Sequence, residues 1–224
     1  MGDHDPFVYF AAHDLRAPLM SVKGLLYLMR RESERDKLDY YVSLLERSVD
    51  RMNQSISDII SHSKNGSAEI TSQQEQVDFR KIAEESIQSM RFMPGAEFVH
   101  IDLSVEDKDL FFSNHNLLLS IFSNILSNAI RYRDTNKHSF LKIGVTFNRD
   151  GCETIFEDNG IGIDEALQVK VFDKFFLVNQ QQGGSGLGLY MVKSLVEKMG
   201  GSIHIQSSIG KGTTFILQIP NLLK

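Results

Sequence analysis

Residues 8–29 read VYFAAHDLRAPLMSVKGLLYLM, and the spacing of their apolar positions decides how the fold begins. Val8, Ala12, Leu15, Leu19, Val22, Leu26 and Met29 alternate by four and three, the seam of a helix that packs on another helix in coiled-coil fashion. A second seam follows at Leu38, Val42, Leu45, Val49, Met52, Ile56 and Ile59. The polar link at residues 30–37 is short enough to force an antiparallel helical hairpin, and Gly66 is expected to end its second helix. Each seam residue contributes roughly 1.5 to 3 kcal/mol if fully buried. Ala11, Leu25, Tyr41, Leu44 and Ile60 widen both apolar faces beyond one two-helix contact, so the economical arrangement is a four-helix bundle made by two chains. Pro18 falls inside the first helix, where it removes the bond to the Asp14 carbonyl at a cost of about 3 kcal/mol and predicts a local bend.

Beyond this hairpin the chain is built differently. Residues 1–66 hold 3 of the 16 glycines, and six of the remaining 13 fall from Gly160 to Gly188. Short strands are expected at 76–78, 99–105, 141–148, 153–158, 202–207 and 213–219, and helices at 80–90, 116–132 and 187–199. Turns at Pro94-Gly95, Asp150-Gly151 and Gly210-Lys211-Gly212 punctuate them. The fold class is therefore a helical hairpin over residues 1–66 followed, over 67–224, by an α/β sandwich with helices on one face of a mixed, mostly antiparallel sheet.

Composition narrows the function classes. With 224 residues, 42% hydrophobic and 24% charged, the chain is an ordinary folded protein, not a disordered or disulfide-built one. A net charge of −5 argues against nucleic acid as a partner. The single cysteine, Cys152, makes a reducing compartment the simplest setting. No apolar run approaches the roughly 20 residues of a membrane helix. A cytoplasmic location is expected, with membrane attachment only through a region upstream of this sequence.

Four groups of residues carry chemistry. In His13-Asp14-Leu15-Arg16-Ala17-Pro18-Leu19 the two leucines occupy the seam, which puts His13 at its edge. Asp14 is the right kind of group to accept the Nδ1 proton and leave Nε2 nucleophilic. Asn124 and Asn128, four apart, share one helical face, and neutral amide oxygens suit Mg²⁺; by themselves they read equally well as solvated side chains. Asp158-Asn159-Gly160-Ile161-Gly162 ends a strand with a carboxylate able to accept from an exocyclic amine, beside glycines that let backbone approach a flat ring; it is also ordinary turn chemistry. Gly183-Gly184-Ser185-Gly186-Leu187-Gly188 opens a helix, whose free N–H groups suit phosphate, but lacks the Lys-Ser/Thr ending of a P-loop.

In this order, the four groups resemble an orthodox sensor histidine kinase of two-component systems, over residues 7–219. The resemblance implies that residues 1–66 are the dimerisation and histidine-phosphotransfer domain, with His13 the phospho-acceptor and Asp14 its acid-base partner. It implies that residues 67–224 are the Bergerat-type (GHKL) ATP-binding domain shared with gyrase and Hsp90. Asn128 then matches the main Mg²⁺ ligand, with Asn124, Arg131 and Tyr132 lining the nucleotide. Asp158 matches the acid that reads adenine, and Gly160 and Gly162 complete its motif. Phe172, Lys174 and Phe175 fall in the phenylalanine motif, Gly184, Gly186, Leu187 and Gly188 on the phosphate side, and residues 177–183 form a short ATP lid.

The implied cofactors are ATP and Mg²⁺, and the implied partners a second copy of the chain and the receiver domain of a response regulator. One departure from the family pattern stands at Ala17. Four residues after the histidine the family commonly has Thr or Asn, implicated in dephosphorylating the regulator, so at most a weak phosphatase is expected. A gyrase-like or Hsp90-like ATPase would share the nucleotide residues but not the His13 motif on a heptad helix. A degenerate dimeric scaffold would keep the hairpin and lose Asn128, Asp158 and the glycines.

Overall fold

The computed structural model describes residues 6–67, 74–106, 110–178 and 186–222; at 6–17, 50–51, 53–55 and 57–67 the description is of helical backbone alone. The chain divides into a helical unit running to Lys64 and an α/β unit that takes up the described residues from Asn65 on.

The helical unit consists of α1 (Pro6–Met29), with Pro18 in its interior, and α2 (Arg35–Ser67). The link between them is residues 30–34, shorter than the polar stretch in the sequence. Arg35, Asp36 and Lys37 are polar but helix-competent, and Asp36 lies in the first turn of α2, where the helix dipole favours an acid. The link closes on itself: the Glu32 carboxylate accepts the N–H groups of Ser33 (2.9 Å) and Glu34 (3.0 Å). These bonds, Glu34's first, with nearby Lys37, hold the Glu32 carboxyl below the usual range. At its other end α2 continues through Gly66 to Ser67, one residue past the expected stop.

Burial divides each predicted seam into two rows. Val22 and Met29 on α1, and Leu38, Leu45 and Met52 on α2, are half-buried. The alternate row stays exposed: Leu19 and Leu26 at 57% and 47%, and Val42, Val49 and Ile56 at 39%, 37% and 43%. Within each row residues recur every seven, so each helix carries one covered and one uncovered apolar stripe.

In the α/β unit, β1 (Glu75–Gln76) is followed by α3 (Phe79–Met90), β2 (Val99–Val105), β3 (Phe112–Ser113) and α4 (His115–Arg131). Then come β4 (Ser139–Phe147), β5 (Gly151–Asp158), α5 (Gly188–Lys198), β6 (Ser202–Ser208) and β7 (Gly212–Pro220). The main sheet has the order β2-β4-β5-β7-β6, with β2 parallel to β4 and every other neighbour antiparallel, the mixed sheet expected from the sequence. β1 and β3 pair as a separate two-stranded ribbon.

Alternation along the strands turns Leu141, Ile143, Val145, Phe156, Phe215, Leu217 and Ile219 to one side, where they are buried. The helices cover that side. α4 contributes Leu117, Leu118, Ile121, Phe122, Ile125 and Leu126, while α3 adds Phe79 and Ile82, and α5 adds Val192 and Val196. Phe122 meets Phe156 edge-on at 4.9 Å, tying the middle helix to the middle of the sheet.

Two starts were less legible. The segment expected as a strand at 76–78 pairs only at Glu75 and Gln76, because Asp78 instead caps α3, accepting from the N–H groups of Arg80 (2.9 Å) and Lys81 (3.2 Å). Asn114 caps α4 in the same way, accepting from Leu117 N–H at 3.1 Å. Two short 3₁₀ turns, Glu165–Leu167 and Lys170–Phe172, lie between β5 and α5, where no element was expected.

Candidate nucleotide site

Helix α4 is the element on which the separate sequence motifs meet. Its inner face is buried in the core, so the opposite face, with Asn124 and Asn128 one turn apart, is turned away from the sheet. The Asn124 amide nitrogen donates to the Ser120 carbonyl at 2.8 Å, which aims its oxygen outward. That oxygen faces the start of α5: a side-chain carbon added at Gly188 would fall 3.0 Å from Asn124 Oδ1 and 4.0 Å from Asn128 Nδ2. Glycine at 188 therefore lets a helix N-terminus, with its positive end and N–H groups, close on two neutral amides.

The last turn of α4 meets the glycine loop after β5. The Tyr132 carbonyl accepts the Ile161 N–H at 3.0 Å, and an added carbon at Gly160 would lie 2.5 Å from that same carbonyl. Burial pushes the Tyr132 phenol above its ordinary pKa, partly offset by the charge and hydrogen bond of Arg131. Asp158 closes β5 just before the loop. Its Oδ1 accepts two backbone N–H groups, from Gly160 at 2.8 Å and Thr213 at 3.3 Å. Oδ2 accepts no hydrogen bond from a described residue. Burial raises the Asp158 carboxyl to about 6, against the two N–H bonds that lower it and with Glu157 adding to the rise.

Tight backbone passages hold this corner. At Gly162 (φ 70°) an added carbon would strike the Ser208 carbonyl at 1.9 Å, and at Gly212 (φ 104°) the Asp158 carbonyl at 2.0 Å. Gly212→Ala is expected to cost at least about 2 kcal/mol of stability. In thermal melts of the ligand-free protein the α/β unit should unfold roughly 4 to 8 °C lower; an unchanged midpoint would contradict the geometry.

The phenylalanine segment lies against the first turns of α5. Phe172 packs edge-on to Phe215 at 6.5 Å, and the Lys174 ammonium sits 4.7 Å over the Tyr190 ring. Phe175 holds a left-handed φ of 64° and its N–H donates to the Gly186 carbonyl at 2.9 Å. Gly186 (φ 69°) allows this contact, since an added carbon would lie 2.5 Å from the Phe175 backbone. Leu187 is buried beside it. Phe172, Lys174 and Phe175 are thus placed as supports of the α5 start.

Gly184 and most of the expected lid lie outside the described residues, as does His4. His13 and Asp14 fall on the helical backbone of α1, within residues whose side chains are not described. Among the described residues no cluster of three or more His, Cys, Asp or Glu could hold a metal.

Some braces of the site were not singled out from the sequence. Asn159 spans β4: its oxygen accepts from Phe140 N–H and its nitrogen donates to the His138 carbonyl, both at 2.8 Å. Lys137 donates to the Gly210 carbonyl at 2.6 Å and pairs with Asp134 at 3.2 Å. Asn159 stood inside a quoted motif, but its partners are 19 and 21 residues away, and nothing local announces them.

Two known families match stretches of the chain. Residues 113–223 match the family described as Histidine kinase-, DNA gyrase B-, and HSP90-like ATPase, and residues 5–68 match the His Kinase A (phospho-acceptor) domain. The chain belongs to the sensor histidine kinases, with a phospho-acceptor domain followed by a GHKL ATPase domain.

It is 31% identical over 218 residues to the signal transduction histidine-protein kinase ArlS of Staphylococcus aureus, covering 93% of this chain and 47% of ArlS. It is 29% identical over 219 residues to the methanogenesis regulatory histidine kinase FilI of Methanothrix harundinacea, covering 96% of this chain and 24% of FilI. The chain thus spans 24% and 47% of these relatives' lengths, less than half of either. In fold it is similar to the histidine kinase ThkA, solved in complex with the response regulator protein TrrA. That likeness has a TM-score of 0.71 at 19% identity, over 97% of this chain and 61% of the other.

Proposed function

We propose that this chain is the kinase core of a two-component sensor, which uses ATP to phosphorylate His13 and passes the phosphoryl group to an aspartate on the receiver domain of a response regulator. The observation that carries the reading is the convergence on α4, where Asn124 and Asn128 face Gly188 while Tyr132 holds the Gly160 loop beside Asp158. Adenine is read by Asp158 Oδ2, with Gly160 and Gly162 admitting the ring. Asn124, Arg131 and Tyr132 line the nucleotide, and Gly184, Gly186, Leu187 and Gly188 hold its phosphates. Phe172, Lys174 and Phe175 set the α5 start from which those phosphates are bound.

The Asn124 oxygen, set by the bond of its amide nitrogen to Ser120, and the neutral amide of Asn128 one turn on are the donor type that fits Mg²⁺, an ion that completes its shell with water and phosphate oxygens. Asn128 would hold the ion, which when bound neutralises charge on the phosphoryl oxygens. In the transfer itself, His13 Nε2 attacks the γ-phosphorus, the N–P bond forms and the bond to ADP breaks. Asp14 orients the ring and takes its Nδ1 proton as the N–P bond forms.

Residues 1–66 act as the dimerisation and phosphotransfer domain and 67–224 as the catalytic domain. The uncovered heptad rows support a homodimeric four-helix bundle, since a helix in such a bundle contacts two neighbours and a single chain supplies only one. Val49→Lys places a charge in the uncovered row and should weaken self-association by at least about 100-fold, roughly 3 kcal/mol. Sedimentation velocity checks this; a variant as dimeric as the parent would refute the bundle.

Ala17 carries no polar group for the hydrolytic step, so any regulator phosphatase activity is weak. No helix among the described residues is long and apolar enough to cross a membrane. With the lone Cys152 free and buried, we assign a cytoplasmic setting. The function is tested with γ-labelled ATP: the protein should acquire acid-labile, alkali-stable label with matching ADP release. Steady hydrolysis without bound label would instead favour a gyrase-like ATPase.

A further inference from the structure

Ser207 belongs to none of the motifs above, yet its hydroxyl makes three hydrogen bonds beside the site. It stands on β6 opposite Thr213 of β7, which stands opposite Asp158 of β5, so the three form one row across the sheet. Ser207 Oγ accepts the Ile163 N–H at 2.8 Å, at the far end of the glycine loop. It donates to the Gly212 carbonyl at 2.8 Å and lies 2.9 Å from Thr213 Oγ1. Gln168 braces the same junction, its amide nitrogen donating to the Ser207 carbonyl at 2.8 Å and to that of Ile163 at 3.4 Å.

Counting protons orders these contacts. A hydroxyl has one hydrogen and two lone pairs. The Ile163 N–H must donate to Ser207, and the Gly212 carbonyl can only accept, so Ser207's hydrogen goes to Gly212. The contact with Thr213 is then made by the Thr213 hydrogen on Ser207's second lone pair. This leaves Thr213 Oγ1 with lone pairs only. Meanwhile both segments held by Ser207 feed Asp158, because the glycine loop supplies the Gly160 N–H and the β7 start supplies the Thr213 N–H, both to Oδ1.

We infer that Ser207 is a positioning residue for base recognition, which locks the two segments gripping Asp158 Oδ1 and commits the Thr213 proton, so that Asp158 and Thr213 together face a ligand as a wall of acceptors. Such a wall favours a purine with an exocyclic amine over one with a carbonyl at the same place, since the carbonyl would bring a third acceptor against two. This rests on the reading of Asp158 as the base-recognising acid, and the experiment separates the two.

Affinities for ADP and for inosine diphosphate are measured by calorimetry on the parent, Ser207→Ala, Ser207→Thr and Asp158→Asn, together with the KM for ATP and kcat of autophosphorylation. Ser207→Ala should weaken ADP about tenfold, a loss of the size of one hydrogen bond, with little change for the inosine compound. The preference shrinks accordingly, KM rises, and kcat at saturating ATP is kept. Ser207→Thr, which keeps the hydroxyl, should restore the preference. Should Ser207→Ala fail to fold, Ser207→Cys, of similar size and weak in hydrogen bonding, is read in its place.

Equal weakening of both nucleotides, or an unchanged preference, overturns the inference while Asp158→Asn still abolishes discrimination. If Asp158→Asn also leaves discrimination intact, it is the reading of Asp158 that falls.

Discussion

His13→Gln is expected to reduce uptake of label from γ-labelled ATP to background, while His4→Gln keeps the full amount. Both histidines are followed by aspartate in the sequence, so the dipeptide does not distinguish them. Position does: His13 lies within α1, one residue past the seam position Ala12 and five before Pro18, whereas His4 precedes the start of that helix at Pro6. Glutamine keeps a polar group of similar reach but has no nitrogen lone pair able to attack phosphorus, so the loss is of the nucleophile and not of packing. Nucleotide affinity should be unchanged in both variants, because Asn128 and Asp158 lie in the other unit. Label retained in His13→Gln and lost in His4→Gln would reverse the assignment.

Asp158→Asn should have two opposite effects. At pH 7 the native carboxyl is raised to about 6 by burial, so ionising it costs free energy that the unfolded chain does not spend. A raised acid contributes stability below its unfolded pKa, near 4, and that contribution is lost as pH rises through 6. At neutral pH the ionised group therefore destabilises the ligand-free protein by up to about 3 kcal/mol. The neutral amide relieves this, and the ligand-free variant should melt higher than the parent at pH 7.5 and no higher at pH 4.

Nucleotide affinity goes the other way. It should fall about 10- to 100-fold, the value of a hydrogen bond to a charged group. In the parent, ADP affinity should weaken as pH drops through about 6, and in Asp158→Asn that dependence should flatten. A variant that is less stable at neutral pH, or that binds ADP normally, would show that the buried carboxylate is not held for recognition.

These expectations draw unequally on sequence and structure. The α4 face was legible because a four-residue spacing is a helical property, and the apolar residues between the asparagines could only pack inward. The sheet was legible from the alternation of Leu141, Ile143, Val145 and Phe147 with smaller or polar residues, and from the β-branched and apolar run at 213–219, which Ile216 keeps from alternating. The Asp78 cap was misjudged because a short polar and β-branched stretch reads alike as strand or helix entry until its hydrogen bonds are known. The heptad seam was legible as one stripe, but its division into a covered and an uncovered row was not, since both rows obey the same periodicity.

What the amino-acid order by itself determined is the identity and sequence of the chemical groups: a histidine on a heptad helix, two amides on one helical face, an acid before glycines, and a glycine-opened helix. Those depend on spacings of a few residues, which local backbone geometry converts directly into faces and turns. The tertiary structure alone decided which oxygen of Asp158 takes the backbone bonds, which way the Asn124 amide points, and which segments Ser207 and Asn159 tie together. Each of these depends on hydrogen bonds between residues tens of positions apart, and the direction of such a bond is settled only when the sheet register brings its donor and acceptor together.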